Sequence, residues 1–284
     1  MVTAVTTSES GRRDIGISGD TEASVLQTIQ RIGPILDLFT PERSEWGVAE
    51  VAETLGTPRS STHALLSTLV DTGLLQCRGR GRYRLGWRVV ELSEAMRSGV
   101  DLRTCAEPAI QELSREVGET VHLGVWERGK VLYLDKVVAH QQVTVTGARV
   151  GSRLDAHCTA IGKVLLAHRD DAEIDRVLAQ ARLKRLTATT ITDPAGLRAC
   201  LDQVRARQVA FDDGEAVAEV QCVAAPVRDE HGAVVAAVSV TVPATRFRPR
   251  SKELRKSVSV AAGKIGRRLS AASAGWRQGV LTRN

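Results

Sequence analysis

The chain has 284 residues and a formal net charge of +6, and this length suits two globular domains better than one. The 3% aromatic content argues against stacking of single-stranded nucleic acid on aromatic side chains, and no apolar run approaches the roughly 20 residues of a membrane span. The charge is uneven, because residues 57–90 carry +5 and residues 245–284 carry +10 in an otherwise acidic chain. Basic segments of this kind are what the neutralisation of DNA phosphates requires.

The first 20 residues are polar and lack the apolar core of an export signal. They contain too little apolar surface to fold alone, so residues 1–20 are predicted to form a flexible arm. The five cysteines include no C-x-x-C pair, which fits a reducing compartment better than a disulfide framework. We therefore expect a cytoplasmic protein.

Three helices are predicted next. Apolar residues from Val25 to Phe39 have helical spacing, and Pro34 predicts a kink or a new start within that helix. A second helix over 48–55 stops at Gly56, and Thr57 and Pro58 are expected to provide the cap and first residue of a third. Two short helices joined by a tight turn containing glycine form a helix-turn-helix.

The start of the third helix and the hairpin after it carry the candidate DNA contacts. Polar side chains there reach base edges and phosphates in the major groove. The hairpin has a flexible cationic tip, typical of a wing that contacts phosphates or enters a narrow minor groove. We predict a winged helix-turn-helix over 21–86. Its predicted DNA-binding residues are Arg59, Ser60, Ser61, Thr62, His63, Arg78, Arg80 and Arg82.

A linker helix is predicted over 87–107. Its apolar stripe indicates either core packing or a dimer seam, and it consists of Val89, Leu92, Met96 and Val100. Pro108 is expected to begin the next helix, which Gly118 closes.

The remaining chain alternates strands and helices. An antiparallel hairpin is predicted from 121 to 137, with its turn at 127–130. Helices follow at 160–168, 171–181 and 194–207, and two strands are predicted at 220–227 and 234–242 before a final helix. Helices packed on a sheet indicate an α+β sensor domain over 108–272, followed by a basic tail over 273–284. The basic face of the final helix is either solvated or an auxiliary contact to the DNA backbone.

Several motifs occur in the order typical of one family. The chain resembles the IclR family of bacterial transcriptional regulators in the runs HALLSTLVDTGLL, DLRTCAEPAIQELSREVGETVHLGV, GSRLDAHCTAIGKVLLA and EVQCVAAPVRDEHGAVVAAVSVTVP. The resemblance covers roughly residues 22–270. It implies a winged helix-turn-helix, a linker helix and a GAF-like α/β effector-binding domain with an antiparallel sheet. It also implies dimers, or dimers of dimers, on palindromic operators in double-stranded DNA. One departure is Ala64, which stands where family members often carry arginine after the histidine.

A loop of small residues leads into the helix at 160–168. Free amides at a helix start favour an anion such as a carboxylate, and the resemblance implies that the amides of Ala160 and Ile161 hold an organic acid. Ser239 and Thr241 are two residues apart on a strand and so share a face. The effector-binding residues that the resemblance implies are Leu154, Ala160, Ile161, Asp212, Cys222, Ser239 and Thr241.

Individual residues also suggest two other classes of protein. His157, Cys158 and Cys222 raise the alternative of a metal- or redox-responsive sensor, although their spacing matches no standard zinc site. A cysteine nucleophile needs a base within hydrogen-bond reach, and adjacent residues such as His157 and Cys158 point in opposite directions. Gly162-Lys163 lacks the glycine spacing of a phosphate-binding loop. We therefore expect a regulator with no catalytic residues, no cofactor and no bound metal.

Overall fold

The computed structural model describes residues 19–97, 101–139, 147–179 and 183–281, with the side chains at 19–27, 80, 97 and 275–281 left undescribed. The chain divides into two compact units between Met96 and Arg97. In the described ranges, no helix is long and apolar enough to cross a membrane. The predicted arm at 1–20 lies outside these ranges except for its last two residues.

The first unit is a helical domain with a small sheet. The helices are α1 (Gly19–Asp37), α2 (Val48–Leu55), α3 (Arg59–Asp71) and α4 (Arg88–Arg97). The strands are β1 (Trp46–Gly47), β2 (Leu75–Arg78) and β3 (Arg82–Leu85), arranged antiparallel in the order β1-β3-β2. The buried core, in which the helices pack on this sheet, consists of Ile35, Trp46, Val51, Leu66, Leu69, Leu75 and Tyr83.

Two boundaries in this unit differ from the sequence prediction. α1 runs through Pro34 without a break, because Pro34 is exposed to solvent while its neighbour Ile35 is anchored in the core. α3 begins at Arg59, with Pro58 as its N-cap residue. Thr57 does not cap the helix backbone, since its hydroxyl lies 2.8 Å from the Thr62 hydroxyl.

The second unit is built on a six-stranded antiparallel sheet with the order β6-β5-β4-β9-β8-β7. The strands are β4 (Thr120–Glu127), β5 (Lys130–Val137), β6 (Arg153–Asp155), β7 (Ala210–Asp213), β8 (Val220–Arg228) and β9 (Val234–Pro243). The helices are α5 (Leu102–Val117), α6 (Ala160–Ala167), α7 (Asp171–Ala179), α8 (Pro194–Arg207) and α9 (Ala244–Leu281). Together the two units confirm the expected α+β class.

Alternation along the strands gives this sheet two different faces. On β9, Val238, Val240 and Val242 belong to the apolar core formed with α5 and α9. The residues between them, Ser239 and Thr241, are buried toward the opposite side, where α6, α7 and α8 pack. On β9, the face toward α5 and α9 is therefore apolar, and the face toward α6 carries polar side chains.

The helices that flank this sheet also depart from prediction. α5 begins at Leu102 and not at Pro108, because the Asp101 side chain accepts a hydrogen bond from the Arg103 amide at 3.0 Å. The predicted linker helix over 87–107 is thus shared between α4 and α5, and Val100 lies outside the described residues. α9 begins at Ala244 and continues to Leu281, through most of the predicted tail. The domain limits given above otherwise remain predictions.

Candidate DNA-contact surface and effector site

The exposed face of α3 follows from the residues that it buries. Leu66 and Leu69 are almost fully buried in the core of the first unit, which turns the opposite side of the helix to solvent. Arg59, Ser60 and His63 lie on that exposed side, and Ser61 is half-buried beside them. The left-handed conformation of Gly56, with φ of 63°, ends α2 and lets the chain turn into α3.

Thr62 was wrongly expected on the exposed face. Its side chain is only 1% exposed. The Thr62 hydroxyl donates to the Pro58 carbonyl at 3.0 Å and meets the Thr57 hydroxyl. Leu66 and Leu69 follow Thr62 by four and seven residues, which is close to one and two helical turns. Thr62 therefore falls on the same side as these leucines and serves the turn between α2 and α3.

The wing is the hairpin of β2 and β3, with Gly79–Gly81 at its tip. Arg78 is exposed, and its side chain has no hydrogen bond or ion pair with the part of the chain that the structure describes. The Arg82 side chain instead contacts other residues of the first unit: it pairs with Glu50 and donates to the Glu45 carbonyl at 3.0 Å. The Gly47 amide, and then Arg82, hold the pKa of Glu50 below its ordinary value. The predicted role of the Arg80 side chain lies outside the described residues.

We expect Arg78→Ala and Arg82→Ala to act differently. Arg78→Ala should weaken binding to all duplexes alike and lower the dependence of log K on log salt by about 1, as the loss of one phosphate contact does. Arg82→Ala should leave the salt dependence unchanged and lower the thermal stability of the first unit only slightly, because the half-exposed Glu50 loses one partner and keeps Arg43 and the Gly47 amide. Salt titrations and thermal melts of both variants check this, and equal salt slopes for Arg78→Ala and wild type would contradict it.

In the second unit, the first turn of α6 presents two backbone donors. The Thr159 hydroxyl accepts from the Gly162 amide at 3.1 Å, and the Thr159 carbonyl accepts from the Lys163 amide at 3.0 Å. The first amides of a helix have no acceptor within it, which leaves those of Ala160 and Ile161 for an outside group. Both residues are 1% exposed, so an acceptor for these amides would be surrounded by protein.

Strand β4 passes directly beneath this turn. A Cβ on Gly124 would lie 3.0 Å from Cγ2 of Ile161, so only glycine allows so close an approach. His122 is two residues along β4 and therefore on the same face. It is 2% exposed and stacks edge-on against Tyr133, with ring centroids 5.5 Å apart.

Polar residues stand opposite one another across four strands of this face. Asp212 pairs with Cys222, Cys222 with Thr241, and Thr241 with Thr120. Ser239, in the adjacent row, pairs with His122. The strand register therefore brings together the predicted residues of β7, β8 and β9, and adds Thr120 and His122 of β4, which were not predicted.

Four of these side chains form what we call the polar relay: Asp212, Cys222, Thr241 and His122. Cys222 stands opposite Asp212 across β7 and β8, its Sγ lies 3.3 Å from Thr241 Oγ1, and that hydroxyl lies 3.3 Å from His122 Nδ1. Three buried atoms on or beside the relay have no hydrogen-bond partner in the described chain: His122 Nε2, Thr120 Oγ1 and Glu215 Oε2. Buried polar atoms are rarely left unsatisfied, so this face is suited to a polar ligand.

Burial shifts the titration of both ends of the relay. It raises the pKa of Asp212 to about 7, although hydrogen bonding to the Glu215 amide at 2.6 Å and the Lys163 charge act against it. Burial, and then the charge of Lys136, lower the pKa of His122 to about 3. A hydrogen bond to the Ala148 backbone opposes this lowering of the His122 pKa but does not cancel it, so the ring is neutral.

A buried ion pair lies beside Asp212, at one end of the relay. Lys163, on α6, is 1% exposed and pairs with Glu215, and its Nζ also donates to the Phe211 carbonyl at 3.1 Å.

The remaining predicted residue, Leu154, is half-buried on β6 opposite Val131 and packs against the core on the α6 side. Thr120 and His122 alternate with the apolar Val121 and Leu123 along β4. This alternation is the sequence signal that could have indicated the two polar residues.

The residues of the metal or redox alternative do not form one site. The His157 ring is 3.0 Å from the Lys184 carbonyl. Among the residues that the structure covers, no three His, Cys, Asp or Glu side chains are grouped to hold a metal ion. Burial raises the pKa of Cys158 to about 12 and that of Cys222 well above its ordinary value, so both thiols are protonated.

Comparison with known proteins gives one consistent result. Residues 28–79 match the family described as the IclR helix-turn-helix domain, and residues 94–267 match bacterial transcriptional regulator IclR C-terminal. The chain is 38% identical over 236 residues to the HTH-type transcriptional regulator Rv1719 of Mycobacterium tuberculosis, covering 83% of this chain and 89% of that protein. It is 33% identical over 223 residues to the regulator XynR of Escherichia coli, covering 78% and 88%.

A solved structure agrees with these matches. An IclR homolog from Microbacterium hydrocarbonoxydans, complexed with 4-hydroxybenzoate, superposes with a TM-score of 0.75 at 29% identity. The match covers 86% of this chain and 99% of that one.

Proposed function

Because the chain belongs to the IclR family of bacterial transcriptional regulators, we propose that α3 and the wing bind a palindromic operator, and that a small organic acid on the polar sheet face changes operator affinity. Arg59, Ser60, Ser61 and His63 contact bases or phosphates in the major groove, and Arg78 contacts the backbone. Thr62 and Arg82 are left out of this contact set because both are committed to the protein's own structure. As a DNA-binding regulator, the protein acts in the cytoplasm.

The observation that carries the effector half is the set of unpaired buried polar atoms on the face toward α6. A carboxylate on the amides of Ala160 and Ile161 places the rest of the acid over Ser239, Thr241 and the relay. The 4-hydroxybenzoate bound by the structural relative is an acid of this kind. The protonated thiols of Cys158 and Cys222 favour binding over nucleophilic chemistry, so the protein is proposed to have no enzymatic activity.

Regulation requires that the acid bind one arrangement of the oligomer better than another. The exposed apolar residues of the α4 region favour a dimer seam over core packing: Trp87 is 70% exposed, Leu92 51% and Met96 77%. A homodimer, or a dimer of dimers, then sets the spacing of two recognition helices on the operator.

We expect the double variant Leu92→Glu, Met96→Glu to weaken self-association, because it places charge on this apolar face. Sedimentation velocity at several protein concentrations measures the change. The double variant Glu91→Gln, Glu94→Gln, on the same helix, is the matched control and should sediment like wild type. If the Leu92→Glu, Met96→Glu variant self-associated like wild type, α4 would not be part of the dimer interface.

Operator recognition is tested by fluorescence anisotropy at near-physiological salt, with a duplex from the gene's own promoter region and a scrambled duplex. Wild type should prefer the promoter by about a thousandfold or more, and Arg59→Ala should lose about 1–3 kcal/mol of promoter affinity. Arg115→Ala, which removes an exposed arginine of the second unit, is the control. Equal binding of wild type to both duplexes, across promoter and genomic fragments, would contradict sequence-specific regulation.

The same titration carries the effector test. Adding a saturating acid should change promoter affinity by about 5–150-fold, the usual range of coupling between two sites. 4-Hydroxybenzoate serves as the first probe. An acid that binds without any change in promoter affinity would contradict the coupling.

A further inference from the structure

The edge of the sheet in the second unit carries a cavity that is separate from the proposed effector site. β7 pairs with β8 from Gln221 to Ala224. Beyond that point, α9 and the end of α8 border a space of about 530 Å³ beside β8, which shares no lining residue with the effector site. We call this space the arginine groove, because four arginines line it: Arg207 of α8, Arg228 of β8, and Arg255 and Arg267 of α9.

Three of the four arginines are available to a ligand. The side chains of Arg207, Arg255 and Arg267 are exposed, and none has a hydrogen bond or an ion pair with any residue that the structure describes. A Cβ on Gly263, which also lines the groove, would lie 3.4 Å from Nη1 of Arg267. The Arg267 guanidinium therefore lies against the groove wall and does not extend away from it.

The groove has an excess of positive charge. Within the described chain, Asp229 is the one acidic residue of the lining, and its Oδ1 already accepts from the His231 and Ala233 amides, each at 2.9 Å. Four arginines and one aspartate leave the lining with a charge of +3. A recess lined by charges of one sign concentrates ligands of the opposite sign, so the groove favours an anion with more than one negative charge.

The half-buried Arg228 has only neutral partners in the described chain. Its Nη1 donates to the Gly232 carbonyl at 2.6 Å, and its Nη2 donates to Gln208 Oε1 and to His168 Nε2, the latter at 3.1 Å. His168 Nδ1 lies 2.9 Å from the Val164 carbonyl, which can only accept, so Nε2 is unprotonated and the ring is neutral. Burial, which lowers the pKa of His168, agrees with this state. A charge partly withdrawn from water normally has a counter-charge, and an anion in the groove would supply it.

The wall that α9 contributes is built from small residues. A Cβ on Gly266 would lie 2.5 Å from the Arg228 carbonyl oxygen, so α9 and the end of β8 touch there and their relative position is fixed. The other short side chains on this wall leave room for a ligand: Ser259, Ala262, Gly263 and Ser270. The volume falls within the roughly 300–1,000 Å³ that is usual for small-molecule sites.

The chemistry of the lining favours a terminal phosphate group. The planar guanidinium of arginine binds phosphate through two parallel N–H···O bonds. A terminal phosphate carries nearly two negative charges and three acceptor oxygens, so arginines from several elements can bind it together. A phosphodiester of DNA carries one charge and has a sugar on each side, which limits its entry into a recess. An added peptide strand is disfavoured, because Pro226 at the edge of β8 has no amide to donate.

We propose that the arginine groove is a second ligand site of the protein, and that it binds a small molecule carrying a terminal phosphate or diphosphate group. Arg228 holds the phosphate at the inner end of the groove, and Arg207, Arg255 and Arg267 bind its remaining oxygens. The site is independent of the effector site, because it uses other residues at the edge of the sheet.

The test is calorimetric titration of the full-length protein with inorganic pyrophosphate, adenosine diphosphate and adenosine, in chloride buffer of constant ionic strength without divalent cations. Pyrophosphate and adenosine diphosphate should bind with a Kd of about 0.1 mM or tighter, whereas adenosine should show no binding. The result would separate recognition of the phosphate groups from recognition of the nucleoside.

A pair of variants tests whether the groove is the site. Arg255→Gln combined with Arg267→Gln should weaken pyrophosphate binding about tenfold or more, the effect of losing at least one charge-assisted hydrogen bond. Lys252→Gln combined with Lys256→Gln is the matched control, because it removes the same charge from exposed positions of α9 outside the groove. This control should bind pyrophosphate like wild type, and both double variants should melt like wild type.

Three outcomes would overturn the proposal: no binding of pyrophosphate to the folded protein, equal weakening in both double variants, or a contact to DNA in place of a small ligand. The last is measured with the scrambled duplex, for which a salt slope lowered by about 2 in the arginine variant alone would assign these arginines to the DNA backbone. Promoter recognition and the response to 4-hydroxybenzoate are measured separately. Failure of the groove proposal would therefore leave the proposed function standing.

Discussion

Replacing Lys163 by methionine is expected to lower the free energy of unfolding of the second unit by about 3–5 kcal/mol, the usual cost of removing one partner of a buried ion pair. Lys163 is 1% exposed, and its ammonium meets both Glu215 and the Phe211 carbonyl. Without Lys163, Glu215 would remain buried with a second oxygen that already lacks a partner. Urea unfolding followed by circular dichroism measures the loss.

Two further variants separate the buried pair from surface electrostatics. Lys163→Met combined with Glu215→Leu should recover much of the loss, because both charges are then removed together. Lys264→Met breaks the exposed pair with Glu112 and should change stability little. A single Lys163→Met variant as stable as wild type would mean that Glu215 takes up a proton at small cost, contrary to this account.

Gly162→Ala is expected to destabilise the second unit by about 1–3 kcal/mol or more, the range for overpacking a closed site, and to abolish binding of acids at α6. A Cβ at Gly162 would lie 2.4 Å from both Cα and O of Ala156, which are backbone atoms and cannot move aside. The helix would have to shift, carrying the Ala160 and Ile161 amides with it. Thermal melts and calorimetry with 4-hydroxybenzoate measure the two effects.

Gly263→Ala provides the matched control, because it also replaces a helical glycine. There the new methyl group would meet only the end of the flexible Arg267 side chain, at 3.4 Å. Alanine favours a helix over glycine by about 1 kcal/mol, so this variant should be at least as stable as wild type. If the two variants lost stability alike, the close approach of Gly162 to Ala156 would not explain the effect of Gly162→Ala.

Long elements with clear periodicity were predictable from the sequence. The alternation of Val121, Leu123 and Val125 predicted the β4–β5 hairpin, and Asp193-Pro194 correctly marked the start of α8. The short strands β1, β6 and β7 were not predicted, since two to four residues are too few to establish a period. They form because neighbouring strands supply hydrogen-bond partners that are distant in sequence.

The two prolines within helices show where local rules are overridden. Pro34 and Pro108 each predicted a helix boundary, but α1 and α5 continue through them. Both prolines are exposed, so water can satisfy the carbonyl that loses its donor. The adjacent Ile35 and Ala109 are buried, and this packing holds each helix together.

The site was predictable as to residue type and less so as to role. Thr62 and Arg82 have the chemistry of DNA contacts, but burial and ion pairing, which depend on tertiary structure, assign them to the protein's own framework. His122 was missed because its importance comes from register: only the pairing of β4 with β9 places it beside Thr241 and Ser239.

The two faces of the sheet also bear on how such a protein changes over evolution. Along β9 the residues that hold the fold, Val238, Val240 and Val242, alternate one for one with Ser239 and Thr241, which face α6 and are proposed to line the effector site. A point mutation on the α6 side therefore touches the proposed binding residues without replacing a residue of the apolar layer, and the reverse holds for a mutation in that layer. Selection can retune which metabolite is sensed one residue at a time without first rebuilding the scaffold, and the same alternation offers a natural set of positions for designing biosensors.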